Sequence, residues 1–227
     1  MLAVRPAIAI DLATTTPPVE IVDHKLTSGP RTLWLPDGHW YLLDVRRSDM
    51  GGSGPTVADI ATFVQIEGGR FVLGGRLFIL RGDTPTPGWG FTPCGSAEDI
   101  YMKDREPNGR QPDCLTVYSR RRGTPDASRH ASPSQAAIEW MAAHHVEYPE
   151  YSVVISYARY ATNTFGALGL RFPAERFDSE ASAIAWAETL RTALKRFFEH
   201  REDEGYFPTL PAFTVDGASP PASTSSP

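Results

Sequence analysis

Two stretches in the first half of the chain place turn residues between runs of large apolar residues. In residues 32–45, TLWLPDGHWYLLDV, the turn is Pro36–Gly38; in residues 61–80, ATFVQIEGGRFVLGGRLFIL, it is Gly68–Gly69. Glycine adopts the positive φ angles that tight hairpin turns require, and β-branched and aromatic residues favour strands. Both stretches are therefore predicted to be antiparallel hairpins.

Further strands follow the same pattern. The pair Gly74–Gly75 lies inside the second hairpin, where glycines indicate a bulge or a close backbone approach. Residues 114–120, CLTVYSR, predict another strand. Residues 151–172 predict two more strands, joined by a turn at Asn163–Thr164.

A first helix is predicted where the apolar period changes, in SPSQAAIEWMAAHHV. Ser132 is the expected N-cap, Pro133 takes the first helical position and Gln135 completes a capping box. Tyr148–Pro149 ends the helical segment, because the residue before a proline is disfavoured in a helix.

The longest element predicted by periodicity is a second helix, from Asp178 or Ser179 to about His200. Apolar residues recur at steps of three and four, which is typical of a helix packed on an apolar surface. That face comprises Ala183, Trp186, Ala187, Leu190, Leu194 and Phe197.

This order of elements predicts an α+β fold, with an antiparallel sheet of about six or seven strands and two helices, the longer one C-terminal. Strands and helices do not alternate, which argues against a doubly wound parallel sheet. We expect residues 1–20 to be a flexible lead-in and residues 21–207 to be a single domain. Residues 208–227, rich in Pro, Ser and Thr, are expected to be disordered.

Composition narrows the class of protein. The 227 residues are 41% hydrophobic and 22% charged, as in an ordinary soluble domain. A net charge of −5 argues against nucleic-acid binding, and no apolar run is long enough to predict a transmembrane segment. No motif indicates a cofactor or a metal, since the adjacent His144 and His145 do not share a helix face.

The two cysteines, Cys94 and Cys114, lie 20 positions apart at the ends of a charged, turn-rich loop. This spacing fits neither paired zinc ligands nor a C-x-x-C redox motif. A disulfide and two separate buried thiols remain as alternatives. The disulfide is favoured, because the loop has few core-forming residues and its closure would stabilise the fold by about 3 kcal/mol. A disulfide implies an oxidising compartment, most simply a bacterial periplasm.

Two groups of side chains are candidate binding residues. Arg120, Arg121 and Arg122 form a basic run that is suited to holding an anion through bidentate hydrogen bonds. Successive strand residues face opposite sides, so all three meet one ligand only if the strand has ended; a solvated strand end is the alternative. Trp89 and Phe91 either form an exposed binding surface or pack over the disulfide.

No motif fixes an activity. The predicted function is a non-enzymatic protein of the bacterial cell envelope, periplasmic or secreted after signal removal. It would carry one structural disulfide and bind an unknown protein or small-molecule ligand. The first alternative is a hydrolase whose site is assembled from dispersed Asp, Glu and His residues, with His39 as a candidate acid or base. The second is a cytoplasmic or phage-associated interaction protein with reduced cysteines.

Overall fold

The computed structural model describes residues 9–49, 57–80, 101–104, 112–123, 133–161, 164–199 and 204–211. The helices are α1 (Gln135–Ala143) and α2 (Glu180–Glu199), and Ala174–Arg176 forms a 3₁₀ turn. The strands are β1 (Ile10–Asp11), β2 (Val19–Glu20), β3 (Lys25–Ser28), β4 (Arg31–Trp34), β5 (His39–Asp49), β6 (Val57–Glu67), β7 (Arg70–Leu80), β8 (Tyr101–Asp104), β9 (Asp113–Arg121), β10 (Tyr151–Ala161), β11 (Thr164–Pro173) and β12 (Glu204–Tyr206).

The strands form two sheets. The large sheet has eight strands in the order β2-β5-β6-β7-β11-β10-β9-β8, and every neighbouring pair is antiparallel. The small sheet has the order β1-β3-β4-β12; its central pair is antiparallel and its two outer pairs are parallel. The predicted α+β class, with two helices and the longer one C-terminal, is confirmed.

Helix α2 lies against both sheets and organises the main core. Its apolar face is the predicted one: Ala183, Ala187, Leu190, Leu194 and Phe197 are buried. This face shares one cluster with residues of the large sheet such as Leu168 and with residues of the small sheet such as Leu33. Each large side chain buried in this layer contributes about 1.5–3 kcal/mol to stability.

Helix α1 covers the other face of the large sheet. Along β6, Phe63 belongs to the α2 core, whereas its neighbour Val64 packs with Met141 of α1. The helix begins two residues later than predicted: Ser134 is the N-cap, and its Oγ accepts a hydrogen bond from the amide of Ala137 at 3.2 Å. The side chain that satisfies the free amides of the first turn therefore fixes the start of the helix.

The hairpin of β6 and β7 is confirmed. Glu67 pairs with Arg70, and Gly68 and Gly69 between them have φ angles of 56° and 79°. Two consecutive residues of positive φ match the twist of the strands on either side, as in a type I′ turn.

The first predicted hairpin is wrong, because Pro36–Gly38 connects the two sheets. Strand β4 pairs with β3 and β12, whereas β5 pairs with β2 and β6. The indole Nε1 of Trp40 donates to the carbonyl of Pro36 at 2.7 Å, and Nε2 of the buried Gln65 donates to the carbonyl of Asp37 at 2.9 Å. The bond from Gln65 joins residues 28 positions apart and attaches the turn to the large sheet, and local turn chemistry does not reveal it.

Gly74 and Gly75 do not form the bulge that their position suggested. The β6–β7 pairing passes through both without a shift, and the irregularity in this pairing lies between Gln65 and Ile66. A Cβ atom on Gly75 would lie 2.3 Å from ring atoms of Phe63. The close approach is therefore made by an aromatic ring that lies over the glycine.

The described parts of the two terminal segments are attached to the domain. Residues 9–20, within the predicted lead-in, include β1 and β2, and Leu12 is fully buried. After β12, the indole of Trp186 donates to the backbone carbonyl of Thr209 at 2.8 Å. The guanidinium of Arg176 donates to the backbone carbonyl of Pro211 at 2.6 Å. Side chains of the domain thus bind the backbone of this segment as far as Pro211.

The contact between β11 and α2 leads to a stability prediction. A Cβ atom on Gly166 would lie 2.0 Å from Cδ1 of Phe198, so Gly166→Ala forces the helix or the ring to move. We expect the free energy of unfolding to fall by about 1–3 kcal/mol, the usual effect of overpacking, as measured by urea denaturation.

The same substitution in a Phe198→Leu background provides the control. Removing the ring leaves room for the methyl group, so the additional effect of Gly166→Ala should shrink. An equal effect in both backgrounds would show that the contact with the ring is not its cause.

Candidate functional site

A buried ion pair joins α2 to the large sheet. Asp113, the first residue of β9, is fully buried. Arg191 of α2 donates to both of its carboxylate oxygens, from Nε at 2.9 Å and from Nη2 at 2.8 Å. Nη1 of Arg159, on β10, lies 3.2 Å from Oδ2 of the same carboxylate. One carboxylate therefore holds two guanidinium groups from two different elements.

The charged network extends along α2 in both directions. Arg159 also donates two hydrogen bonds to Glu199, at 3.1 and 2.7 Å. At the other end, Glu188 accepts from the hydroxyl of Tyr101 at 2.5 Å and from Nζ of Lys103 at 2.8 Å. Strands β8, β9 and β10 are thus all attached to one face of the helix.

The pKa shifts of Asp113 and Glu188 agree with the ion pairs of this network. Burial alone would raise the pKa of Asp113, but the hydrogen bonds and positive charges of Arg191 and Arg159 outweigh it and lower that pKa. Burial also favours a higher pKa at Glu188, but the hydrogen bonds from Lys103 and Tyr101 outweigh it, and the pKa of Glu188 is lowered. A carboxylate that stays ionised and is fully engaged with guanidinium groups is a poor proton carrier near neutral pH.

The candidate acid or base His39 lies at the surface, and His144 lies against an aromatic ring. Nδ1 of His39 lies 3.8 Å from Glu20, and both side chains are well exposed. His144 stacks on Trp140 at a ring distance of 4.0 Å. Within the described ranges, no group of three or more His, Cys, Asp or Glu residues is arranged to hold a metal.

The predicted envelope function requires correction. Cys114 is 1% exposed inside β9, paired with Ala158 on one side and Asp104 on the other. It is the one cysteine among the described residues, because Cys94 lies outside them, so the described ranges contain no pair of cysteines that could support the predicted disulfide. Neither the disulfide-based function nor the periplasmic location is supported.

The three candidate arginines divide between two environments. Arg120 lies over the ring of Tyr118 at 4.9 Å, and strand alternation places it on the face opposite Arg121. Strand β9 ends at Arg121, so Arg122 has left the alternation. Arg121 and Arg122 line one open depression of about 470 Å³ together with Gly123 and Glu150; we call it the Arg121–Arg122 depression.

Short contacts hold both guanidinium groups of this depression in place. Nη2 of Arg121 lies 3.1 Å from Oε1 of Glu150, and its guanidinium lies 5.8 Å from the ring of Tyr151. Nη1 of Arg122 donates to the backbone carbonyl of Tyr148 at 3.2 Å. The backbone amide of Arg122 donates to the backbone carbonyl of Glu150 at 2.6 Å. The side chains of Arg121 and Glu150 are more than half exposed.

The remaining predicted binding residues, Trp89 and Phe91, lie outside the described residues. The sequence interpretation missed the Asp113 network. Its only sequence signal is Arg191, a charged residue next to Leu190 inside the apolar face of α2. A charge in that position indicates a buried partner, but the sequence does not identify which carboxylate it meets.

Comparison with protein-family models, with characterised proteins and with solved structures finds no match for this chain. Among the described residues, no helix is long and apolar enough to cross a membrane. The geometry of the described residues is therefore the basis for inferring a function.

The substitution Asp113→Asn tests the buried network. It leaves Arg191 and Arg159 without their shared carboxylate, so we expect the free energy of unfolding at neutral pH to fall by about 3–5 kcal/mol, as measured by urea denaturation. The control is Glu150→Gln, which breaks the exposed pair with Arg121 and should change stability by less than about 1 kcal/mol. Similar effects of the two substitutions would contradict the structural role of Asp113.

Acid unfolding gives a second readout of the same pair. Because the folded-state pKa of Asp113 lies below its ordinary value of 3.8, its contribution to stability is complete above that value. The contribution is lost as the pH falls through the lower, folded-state pKa. The Asp113→Asn protein should therefore lose stability less steeply with decreasing pH in this range than the wild-type protein. If the stability of both proteins fell with equal slope as the pH decreased, the lowered pKa of Asp113 would be contradicted.

Proposed function

We propose that the protein binds a small ligand carrying a carboxylate or phosphate group in the Arg121–Arg122 depression. The observation that carries this proposal is that two guanidinium groups line one open surface depression. Arginine presents its donors in a planar fork that matches carboxylate and phosphate oxygens. A volume of about 470 Å³ is in the range of small-molecule sites.

The exposed pair of Arg121 and Glu150 is compatible with ligand exchange. Both side chains are more than half exposed, and a surface ion pair contributes only about 0.2–1 kcal/mol. An incoming carboxylate or phosphate can therefore take the place of Glu150 at little energetic cost. Arg122 is meanwhile held by the carbonyl of Tyr148, which leaves its remaining N–H groups for a ligand.

Tyr151 adds an aromatic surface beside the cationic one. It is 56% exposed and stands directly opposite Arg121 in the pairing of β10 with β9. An exposed tyrosine provides a flat apolar contact at low conformational cost. This arrangement favours an anionic ligand that also has an apolar or ring-shaped part.

The double substitution Arg121→Gln/Arg122→Gln tests the proposal. We expect at least tenfold weaker binding of citrate and of inorganic phosphate, since a hydrogen bond to a charged group contributes about 1.5–3 kcal/mol. The measurement is a titration followed by the amide signal of Gly123 in ¹H–¹⁵N spectra. The matched control is Arg70→Gln, at an exposed arginine of the β6–β7 hairpin.

Glu150→Gln should have the opposite effect. It removes the internal competitor for Arg121, so affinity for the same two anions should rise by about 1.5- to 5-fold. The proposal fails if neither anion shifts the Gly123 signal of the wild-type protein. It also fails if Arg70→Gln weakens binding as much as the double substitution does.

A further inference from the structure

The two guanidinium groups of the Arg121–Arg122 depression belong to consecutive residues at the end of a strand. Arg121 is the last residue of β9, and Arg122 follows it. Nη2 of Arg121 contacts Glu150, and Nη1 of Arg122 donates to the backbone carbonyl of Tyr148. Because a guanidinium has five N–H donors, each arginine keeps further donors for a ligand.

Two guanidinium groups match a phosphate monoester better than a carboxylate. A carboxylate has two oxygens, and one guanidinium in bidentate geometry already binds both. A phosphate monoester has three terminal oxygens and, above its second pKa of about 6, close to two negative charges. It can therefore accept hydrogen bonds from both arginines at once. After Glu150 is displaced, its two negative charges also balance the two positive ones.

An aromatic ring lies beside these two cations. Tyr151 stands directly opposite Arg121 in the pairing of β10 with β9, so both side chains lie on one face of the sheet. The guanidinium of Arg121 lies 5.8 Å from the tyrosine ring, and Tyr151 is 56% exposed. An exposed ring can pack against an aromatic ring of a ligand. The short distance favours a ligand whose ring is bonded directly to the phosphate group.

We propose that the depression recognises aryl phosphates, which are phosphate monoesters of an aromatic hydroxyl group. The phosphate contacts Arg121 and Arg122, and the ring stacks on Tyr151. A volume of about 470 Å³ is in the range of whole small-molecule sites, so a ring fits beside the phosphate. This inference rests on the proposed function and adds to it the class of the ligand and the role of Tyr151. A free aryl phosphate and a phosphotyrosine side chain share this chemistry.

Three phosphate probes test the ligand class. Inorganic phosphate, cyclohexyl phosphate and phenyl phosphate are titrated at about pH 8, where all three are largely dianionic, and binding is followed by the amide signal of Gly123. We expect phenyl phosphate to bind about 2- to 12-fold more tightly than inorganic phosphate, which is the effect of one aromatic pair. Cyclohexyl phosphate has a ring of similar size that is not flat, so it should gain less.

Substitutions of the tyrosine test its role. Tyr151→Ser should abolish the preference for phenyl phosphate, and Tyr151→Phe, which keeps the ring, should retain it. Neither should change the affinity for inorganic phosphate, since the arginines remain. The matched control is Tyr206→Ser, at a tyrosine of the small sheet that is 52% exposed, and this variant should retain the preference.

A measurement on the wild-type protein needs no variant. A nuclear Overhauser effect between the protons of bound phenyl phosphate and those of the Tyr151 ring supports the stacked arrangement, and its absence at saturation overturns it. An N-acetyl phosphotyrosine amide that binds more tightly than phenyl phosphate supports the inference and indicates a protein source for the ligand.

The aryl class is overturned if phenyl phosphate binds no more tightly than inorganic phosphate or cyclohexyl phosphate. It is also overturned if Tyr151→Ser leaves the preference unchanged. In these cases inorganic phosphate still binds, and the proposed function stands without the aryl preference. If none of the three probes shifts the Gly123 signal, the proposed function and this inference both fail.

Discussion

The buried carboxylate of Asp113 fixes the position of α2, and the rest of the architecture depends on where that helix lies. Apolar contact alone tolerates small shifts, because leucine and phenylalanine pack against a sheet in more than one way. The bidentate pair between Asp113 and Arg191 has one geometry, with hydrogen bonds of 2.9 and 2.8 Å, and Arg159 adds a second cation to the same carboxylate. A buried ion pair adds little net stability, but losing one partner is costly, so the pair selects this position over its alternatives.

Aromatic contacts to glycines then determine how closely the sheets approach the helix. The ring of Phe198 occupies the space above Gly166 of β11, and the ring of Phe197 occupies the space above Gly205 of β12. Adjacent helix residues thus contact two different sheets at positions without side chains. Close packing of this kind permits no extra methyl group, because protein interiors are as dense as organic crystals.

Local signals in the sequence predicted the elements, whereas long-range contacts decided their assembly. Periodicity identified α2 and its buried face, and Gly68–Gly69 identified the β6–β7 hairpin. The same logic failed at Pro36–Gly38, because β4 and β5 pair in different sheets and a long-range hydrogen bond from Gln65 attaches the turn to the large one. The arginine run was visible in the sequence. The separation of Arg120 from Arg121 and Arg122 depends on where strand β9 ends. Residue propensity does not locate a strand end to a single residue.

The environments of the arginines explain why the surface depression is the better candidate for ligand exchange. Arg191 is buried, and its guanidinium donates to both oxygens of the Asp113 carboxylate. A ligand would have to displace that carboxylate, which water cannot reach in the core. Arg121 also has a carboxylate partner, but Glu150 is exposed and water accepts it readily once it is displaced. The same chemical pair therefore acts as a permanent attachment in the core and as an exchangeable contact at the surface. Exposure, more than residue type, separates the residues that hold this fold from those available to a ligand.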